Sequence, residues 1–228
     1  PGEWLDSVSY RLLEHEPERA TGLGVDTGEF AYLRGKLEDQ SISGQREYAA
    51  TLRWVVNQMT GLDESGLTPD QQTSFEVVRS AFSTAAEGFD QPYGDVAVGS
   101  WRNAPYVVIQ NVGTYLDMPR FMDSSHPVAN EADAEAFVAR IDAMPDALDG
   151  ELERIQAARA MGVVPPDFLL DKAIPQMERT IADAENGEPF ASSLAGKLSE
   201  TGLSATLAKD VEAKTKGAVT AALKRQLA

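Results

Sequence analysis

Two histidines and no cysteine are the whole stock of nitrogen and sulfur metal ligands in these 228 residues. Without cysteine there are no disulfides, thiolate nucleophiles or Cys-based zinc sites. A catalytic zinc takes three protein ligands, so the histidines need close inspection. His15 precedes Glu16, the opening of a zinc-helix pattern, but Pro17, Glu18 and Arg19 follow. The i+4 position is therefore Arg, and the proline breaks the helix that would align two ligands. His15 is instead expected to end a helix, where a charged ring suits the negative end of the dipole. His126, followed by Pro127, is read as ordering a turn, with a substrate-side contact as the alternative.

Other chemistry is thinner still. Pairs such as Asp133 with Glu135, or Asp146 with Asp149, could pose as acid and base, but with 36 acidic residues such pairs carry no information. Glu131 and Asp133 sit where first-turn acids stabilise a helix dipole regardless of function. Ser124-Ser125 and Ser192-Ser193 lack the elbow glycines of a G-x-S-x-G nucleophile. Neither a G-x-x-x-x-G-K-[ST] loop nor a G-x-G-x-x-G turn occurs, so nucleotide chemistry has no foothold. The best candidate site is residues 101–121, WRNAPYVVIQNVGTYLDMPRF, which lacks clean helical spacing. Tyr106, Gln110, Gly113 and Tyr115 would there line a cleft wall that hydrogen-bonds a peptide backbone. The alternative is an irregular core segment in which Tyr106, Val108 and Tyr115 simply pack. No catalytic residue and no metal ligand is assigned.

The elements that must position this segment are helical. Trp4, Val8 and Leu12 form a stripe that stops at Pro17, and Tyr48, Leu52, Val55, Val56 and Met59 form another over 43–59. Thr68-Pro69-Asp70-Gln71 has the order of a capping box with proline in the first turn, opening a helix to about residue 87 that buries Phe75, Val78 and Phe82. From Gly88 to Pro127 periodicity collapses, and long irregular segments in compact domains are often functional. Asn130 can cap a helix carrying Phe137, Ile141 and Met144. Pro145 then starts or sharply bends another, with Leu148, Leu152, Ile155 and Ala158 inward, ending at Gly162. Leu170, Ile174, Met177 and Ile181 predict the next, kinked at Pro175. Ser204 can cap the last, whose apolar stripe reaches the final residues as though something covers it. About seven helices with short connections indicate an irregular all-α domain spanning 1–228.

The landmarks over 105–166 are more particular than helix packing demands. In order they are Pro105-Tyr106, a small apolar run, Gln110, Gly113, Pro119, His126-Pro127, Asp133-Ala134-Glu135-Ala136, Gly162 and Pro165-Pro166. With LLEHEPERATGLGVDTG over 12–28, this order resembles the bacterial family of unknown function 885, across about residues 4–181. The resemblance implies a zinc-dependent peptidase of the broad thermolysin-like class. Its metal is held by a His-Glu-x-x-Pro-Gly-His type segment in a later, C-terminal half, to which nothing here corresponds. The chain would then be an N-terminal helical portion forming one wall of a peptide-binding cleft. It would hold no zinc itself, would be silent alone, and would have the metal-binding half as its partner. Two rivals are a stand-alone helical domain that binds a peptide or partner helix, and a metal-independent hydrolase using two acids converging in one pocket.

Charge narrows the partners. A formal net charge of −16 repels phosphate backbones and anionic lipid surfaces, so neither nucleic acid nor membrane is expected. No run of about 18 apolar residues could span a bilayer. The opening PGEWLDS has no signal-peptide pattern, which fits a soluble chain that is either cytoplasmic or exported with its leader removed.

Overall fold

The computed structural model describes residues 2–98 and 104–228, and these form an all-helical array. The elements are α1 (Gly2–His15), α2 (Pro17–Gly22), a 3-10 segment (Gly28–Gly35), α3 (Ile42–Thr60), α4 (Pro69–Gly88), α5 (Thr114–Ser124), α6 (Glu131–Ala160), α7 (Asp167–Ala184), α8 (Phe190–Thr201), α9 (Thr206–Lys214), a π turn (Thr215–Val219) and α10 (Thr220–Leu227). Pairing of extended backbone among the described residues is limited to the isolated bridges Asp95–Ala104 and Ile109–Val112.

Among the described residues ten α-helices replace the expected count of about seven, and each departure has a local cause. Pro17 both ends α1 and opens α2, because the first helical position needs no amide donor. Within the stretch read as irregular, Thr114, Tyr115, Met118 and Met122 give α5 a buried face whose spacing is masked by Gly113 and Pro119. α8 arises from the Ser- and Gly-containing stretch before the final helix. That final helix is divided by the π turn, where Thr215 Oγ1 donates to the Val211 carbonyl at 2.7 Å and Thr220 Oγ1 to the Thr215 carbonyl at 2.7 Å. Its N-cap position is Ala205, which has no capping side chain, and the Ser204 hydroxyl accepts the Thr206 amide at 3.4 Å. Conversely, α6 runs unbroken through Pro145. A mid-helix proline costs about 3 kcal/mol, but Met144 and Leu148 on either side are fully buried, and burying two such side chains offsets it at about 1.5–3 kcal/mol each.

Other start signals behave as their sequence indicates. Asn130 accepts from the Asp133 amide at 3.0 Å. Thr68 and Gln71 form a reciprocal capping box, with the Thr68 amide donating to Gln71 Oε1 at 3.0 Å.

Among the described residues two large apolar cores result, beside a small cluster of Leu13, Ala20 and Leu33. One gathers α1, α3 and α4 around Val8, Tyr48, Leu52, Val55, Phe75 and Phe82. The other joins α5 to α10 around Tyr115, Phe137, Ile141, Leu148, Leu194 and Leu223. α6 links them, and its buried stripe is not purely apolar: Asp133, Arg140, Glu151 and Arg154 lie on it. Leu152 and Ile155, expected inward, are only half-buried because Glu151 and Arg154 take the inward positions. On α7 the buried face is Ala173, Met177, Ile181 and Ala184, leaving Ile174 exposed against expectation.

Arg140 clamps the N-terminal elements to α6. It is fully buried and donates through Nε to the Lys36 carbonyl (2.9 Å) and through Nη2 to Thr21 Oγ1 (2.8 Å) and the Pro17 and Leu33 carbonyls (3.2 Å each). Burial lowers its pKa to about 10, so the guanidinium stays charged at neutral pH. Beside it Arg34 bridges Asp26 and Asp133, so Asp133 is an ion-pair partner as well as a first-turn acid. Past this clamp, backbone 36–41 crosses α6 at Gly150, where a Cβ would lie 2.6 Å from the Ser41 amide nitrogen. Only glycine permits that approach, and it is what carries Glu38 and Gln40 to their place.

Candidate functional site: an acidic cleft between the two cores

A cleft of about 540 Å³ opens where the two cores meet, bounded by α2, α3, the 95–98 segment, α5 and α6. Its chemistry is dominated by carboxylates. Glu18, in the first turn of α2, accepts the Glu38 amide on both oxygens at 3.2 Å. Glu16, just before α2, accepts from Tyr48 Oη at 2.5 Å on one oxygen and from Arg19 Nη1 at 2.9 Å on the other. Glu38 is half-buried on the cleft wall. Arg154 holds the far side, donating to Gln40 Oε1 (3.0 Å), the Gly94 carbonyl (2.9 Å) and Asp95 Oδ1 (2.5 Å).

Glu151 closes the floor. It is 3% exposed, and its Oε1 accepts from the Thr114 amide (2.7 Å) and hydroxyl (2.8 Å), while Oε2 accepts from Gln226 Nε2 (2.8 Å). The turn that presents the Thr114 amide needs Gly113, whose φ of 134° is closed to ordinary residues and whose Cβ would crowd Val108 and Tyr115 at 3.2 Å.

Burial and like charge act together here. Glu38 is held well above the usual carboxylate range, first by desolvation and then by the charges of Glu18, Asp95 and Glu16, with Arg154 opposing. Desolvation likewise raises Glu18. Glu151 is pushed up to about 7 by burial, its hydrogen bonds and Arg154 pulling the other way. Desolvation drives the Tyr48 phenol upward, with Glu16 adding to it, so it remains a donor. Such a site holds protons near neutrality and favours a cation that supplies donors to under-compensated oxygens.

Neither histidine serves it as a ligand. His15 ends α1 as expected, but its Nε2 meets Thr51 Oγ1 at 2.9 Å, its ring stacks on Tyr48 at 4.8 Å, and burial lowers its pKa. His126 is buried, Nε2 donating to the Asp133 carbonyl (3.0 Å) and Nδ1 accepting from Arg140 (2.9 Å). Burial pushes its pKa down to about 4, so it is neutral. Among the described residues no three His, Cys, Asp or Glu side chains are gathered as a metal ion requires, and the residues present do not fit a zinc.

The model of the family "Bacterial protein of unknown function (DUF885)" matches residues 17–228. The chain belongs to the DUF885 family. The match starts later and runs further than the 4–181 span on which the resemblance was read, so it takes in α8 to α10 as well. Among solved structures, this DUF885 chain is similar to a candidate lipoprotein from Colwellia psychrerythraea, with 18% identity and a TM-score of 0.86. The alignment covers 99% of this chain and 40% of that one, so the chain spans about two fifths of that protein's length, and the likeness is one of fold. No curated protein sequence matches it. Among the described residues no helix is long and apolar enough to cross a membrane.

Of the four residues expected to touch substrate, Gly113 alone borders the cleft. Tyr115 is fully buried, its hydroxyl donating to the Ile109 carbonyl at 3.0 Å and meeting Gln176 Oε1 at 3.1 Å. Tyr106 and Gln110 are half-buried outside the lining, and Gln110 Oε1 is enclosed without a hydrogen-bond partner. Trp101, the start of the segment, lies outside the described residues. The carboxylates were missed, although Glu151 and Arg154 carried a signal: each lies seven residues beyond a buried position, Met144 and Ala147.

Proposed function

We propose that this chain is the cleft-forming, substrate-binding portion of a zinc-dependent peptidase and is catalytically silent alone. In this reading the zinc is supplied by residues in a further, C-terminal half, and the peptide lies in the acidic cleft between the two cores. The observation that carries the reading is the cleft itself. A peptide's amino terminus or a Lys or Arg side chain would find there the half-buried Glu38 carboxylate backed by Glu16, Glu18 and Asp95. Family membership and a fold that makes up two fifths of a larger protein support the division of labour. The second reading is a self-sufficient helical module that binds a cationic peptide in the same acidic cleft.

The test uses the natural protein extended past Ala228, assayed with zinc on a panel of peptides. Hydrolysis is expected from the extended protein and not from residues 1–228. Glu38→Gln in the extended protein is expected to raise KM for peptides bearing a cationic group, with kcat nearly unchanged, because it removes uniform binding. Turnover by residues 1–228 that Glu38→Gln abolishes would point instead to a metal-independent acid pair. Cationic peptides binding residues 1–228 with no hydrolysis in the extended protein would establish the module reading.

A further inference from the structure

The corner between α6 and α7 leaves apolar surface uncovered. From residue 159 to 172 no side chain is buried, although the stretch reads RAMGVVPPDFLLDK. Met161 is 46% exposed, Val164 53% and Phe168 63%. An isolated exposed Leu or Val is ordinary, but a run of large apolar side chains on one corner marks an interaction surface.

α10 points at this corner. Lys214, just before the π turn, pairs with Asp142 at 2.6 Å, Arg225 with Asp149 at 2.5 Å, and Gln226 Nε2 reaches the Leu148 carbonyl at 3.2 Å. Rising numbers on one helix meet rising numbers on the other, so α10 runs parallel to α6 and heads for its C-terminal end. At 1.5 Å per residue, Ala228 lies about 12 Å short of the level of Ala160. A helix continuing in that direction comes level with this corner after about eight residues.

We propose that the α6–α7 corner, centred on Met161, Val164 and Phe168, is the seat of the first helical segment following Ala228. This rests on the reading of the chain as part of a longer protein, which the two-fifths coverage of the Colwellia psychrerythraea structure supports. The corner follows the C-terminal end of α6, past Glu151 and Arg154, so a segment docked there would sit beside the end of the helix that floors the acidic cleft.

Hydrogen exchange on residues 1–228 and on the extended protein tests the proposal, together with Phe168→Glu and the control Val77→Glu, a position 61% exposed on α4. Amides of 159–172 are expected to exchange at least about tenfold more slowly in the extended protein. Phe168→Glu should leave the melting temperature of residues 1–228 unchanged and lower that of the extended protein, and Val77→Glu should move neither. Equal exchange in both proteins, an extended protein indifferent to Phe168→Glu, or a reading frame that stops at Ala228 would overturn it. Peptidase activity is a separate readout. Protection of the corner without hydrolysis would sustain the docking seat while removing the peptidase reading, and hydrolysis without protection would do the reverse.

Discussion

Replacing Glu151 by Gln is expected to stabilise the chain at neutral pH and to leave it nearly unchanged in acid. The carboxyl is 3% exposed, and burial raises its pKa from 4.5 to about 7. The folded state therefore holds the proton more tightly than the unfolded state, and between these two values folding takes up a proton. Stability from this group is fully present below pH 4.5 and is lost as pH rises to about 7, a loss of about 3 kcal/mol by linkage. Gln cannot ionise, so that loss disappears. It can also keep the local bonds, because its oxygen accepts from Thr114, and the Gln226 amide, whose Oε1 is buried without a partner, can turn to accept from the new amide. Urea or thermal unfolding of both proteins from pH 4 to pH 8 isolates the group, since other titrations cancel in the difference. The stability gap should be near zero at pH 4 and reach about 3 kcal/mol above pH 7, or about 6–12 °C in melting temperature for a chain of this size. A gap that does not vary with pH, or a variant less stable than the parent at pH 8, would refute the assignment of a raised pKa to a desolvated Glu151.

Arg140→Met should cost about 3–5 kcal/mol in urea unfolding, because it strands the Pro17, Leu33 and Lys36 carbonyls and His126 Nδ1 without their donor; a neutral result would show that water replaces the guanidinium. His126, held down to about 4, should make stability fall as pH drops from 6.5 to 4, and His126→Gln should flatten that slope; an imidazole resonance titrating near 6.5 in the folded protein would contradict it. Gly150→Ala places a Cβ 2.8 Å from the Gln40 carbonyl carbon and should cost about 1–3 kcal/mol, with weakened cationic-peptide binding as Glu38 is displaced; unaltered stability and binding would mean that 36–41 is free to shift.

The helical class and most helix starts were legible because caps and stripes are local: Asn130, Thr68 with Gln71, and the Tyr48–Leu52–Val55–Met59 face all act within a turn or two. What was not legible depends on residues far apart in sequence. Glu18 meets Glu38 across 20 positions, Thr114 meets Glu151 across 37, and Arg154 meets Asp95 across 59. Nothing in local spacing marks one acid among many as enclosed. Residues 105–119 drew attention through their irregularity, yet the irregularity of Gly113 serves to present the Thr114 amide to Glu151, while Tyr115 packs in the core beneath.

The position of charge along α6 explains why fold and site cannot be separated in this chain. Phe137, Met144, Glu151 and Ala158 repeat at seven-residue spacing, as do Arg140, Ala147 and Arg154. Each run therefore stays on the inward side of one rod. Where the rod faces the N-terminal elements, the inward charge is Arg140, which gathers their backbone carbonyls and so fixes α2 with Glu18. About three turns on, Gly150 lets backbone 36–41 touch the helix and delivers Glu38. At the next inward positions Glu151 and Arg154 take up the start of α5 and Asp95. Replacing such a charge together with its partners by apolar residues would remove the desolvation cost, since buried ionic networks rarely outperform hydrophobic ones in stability alone, whereas removing the charge by itself strands those partners. What these charges on the buried stripe do is position: they hold the two large cores at a distance that leaves an acidic cleft between them.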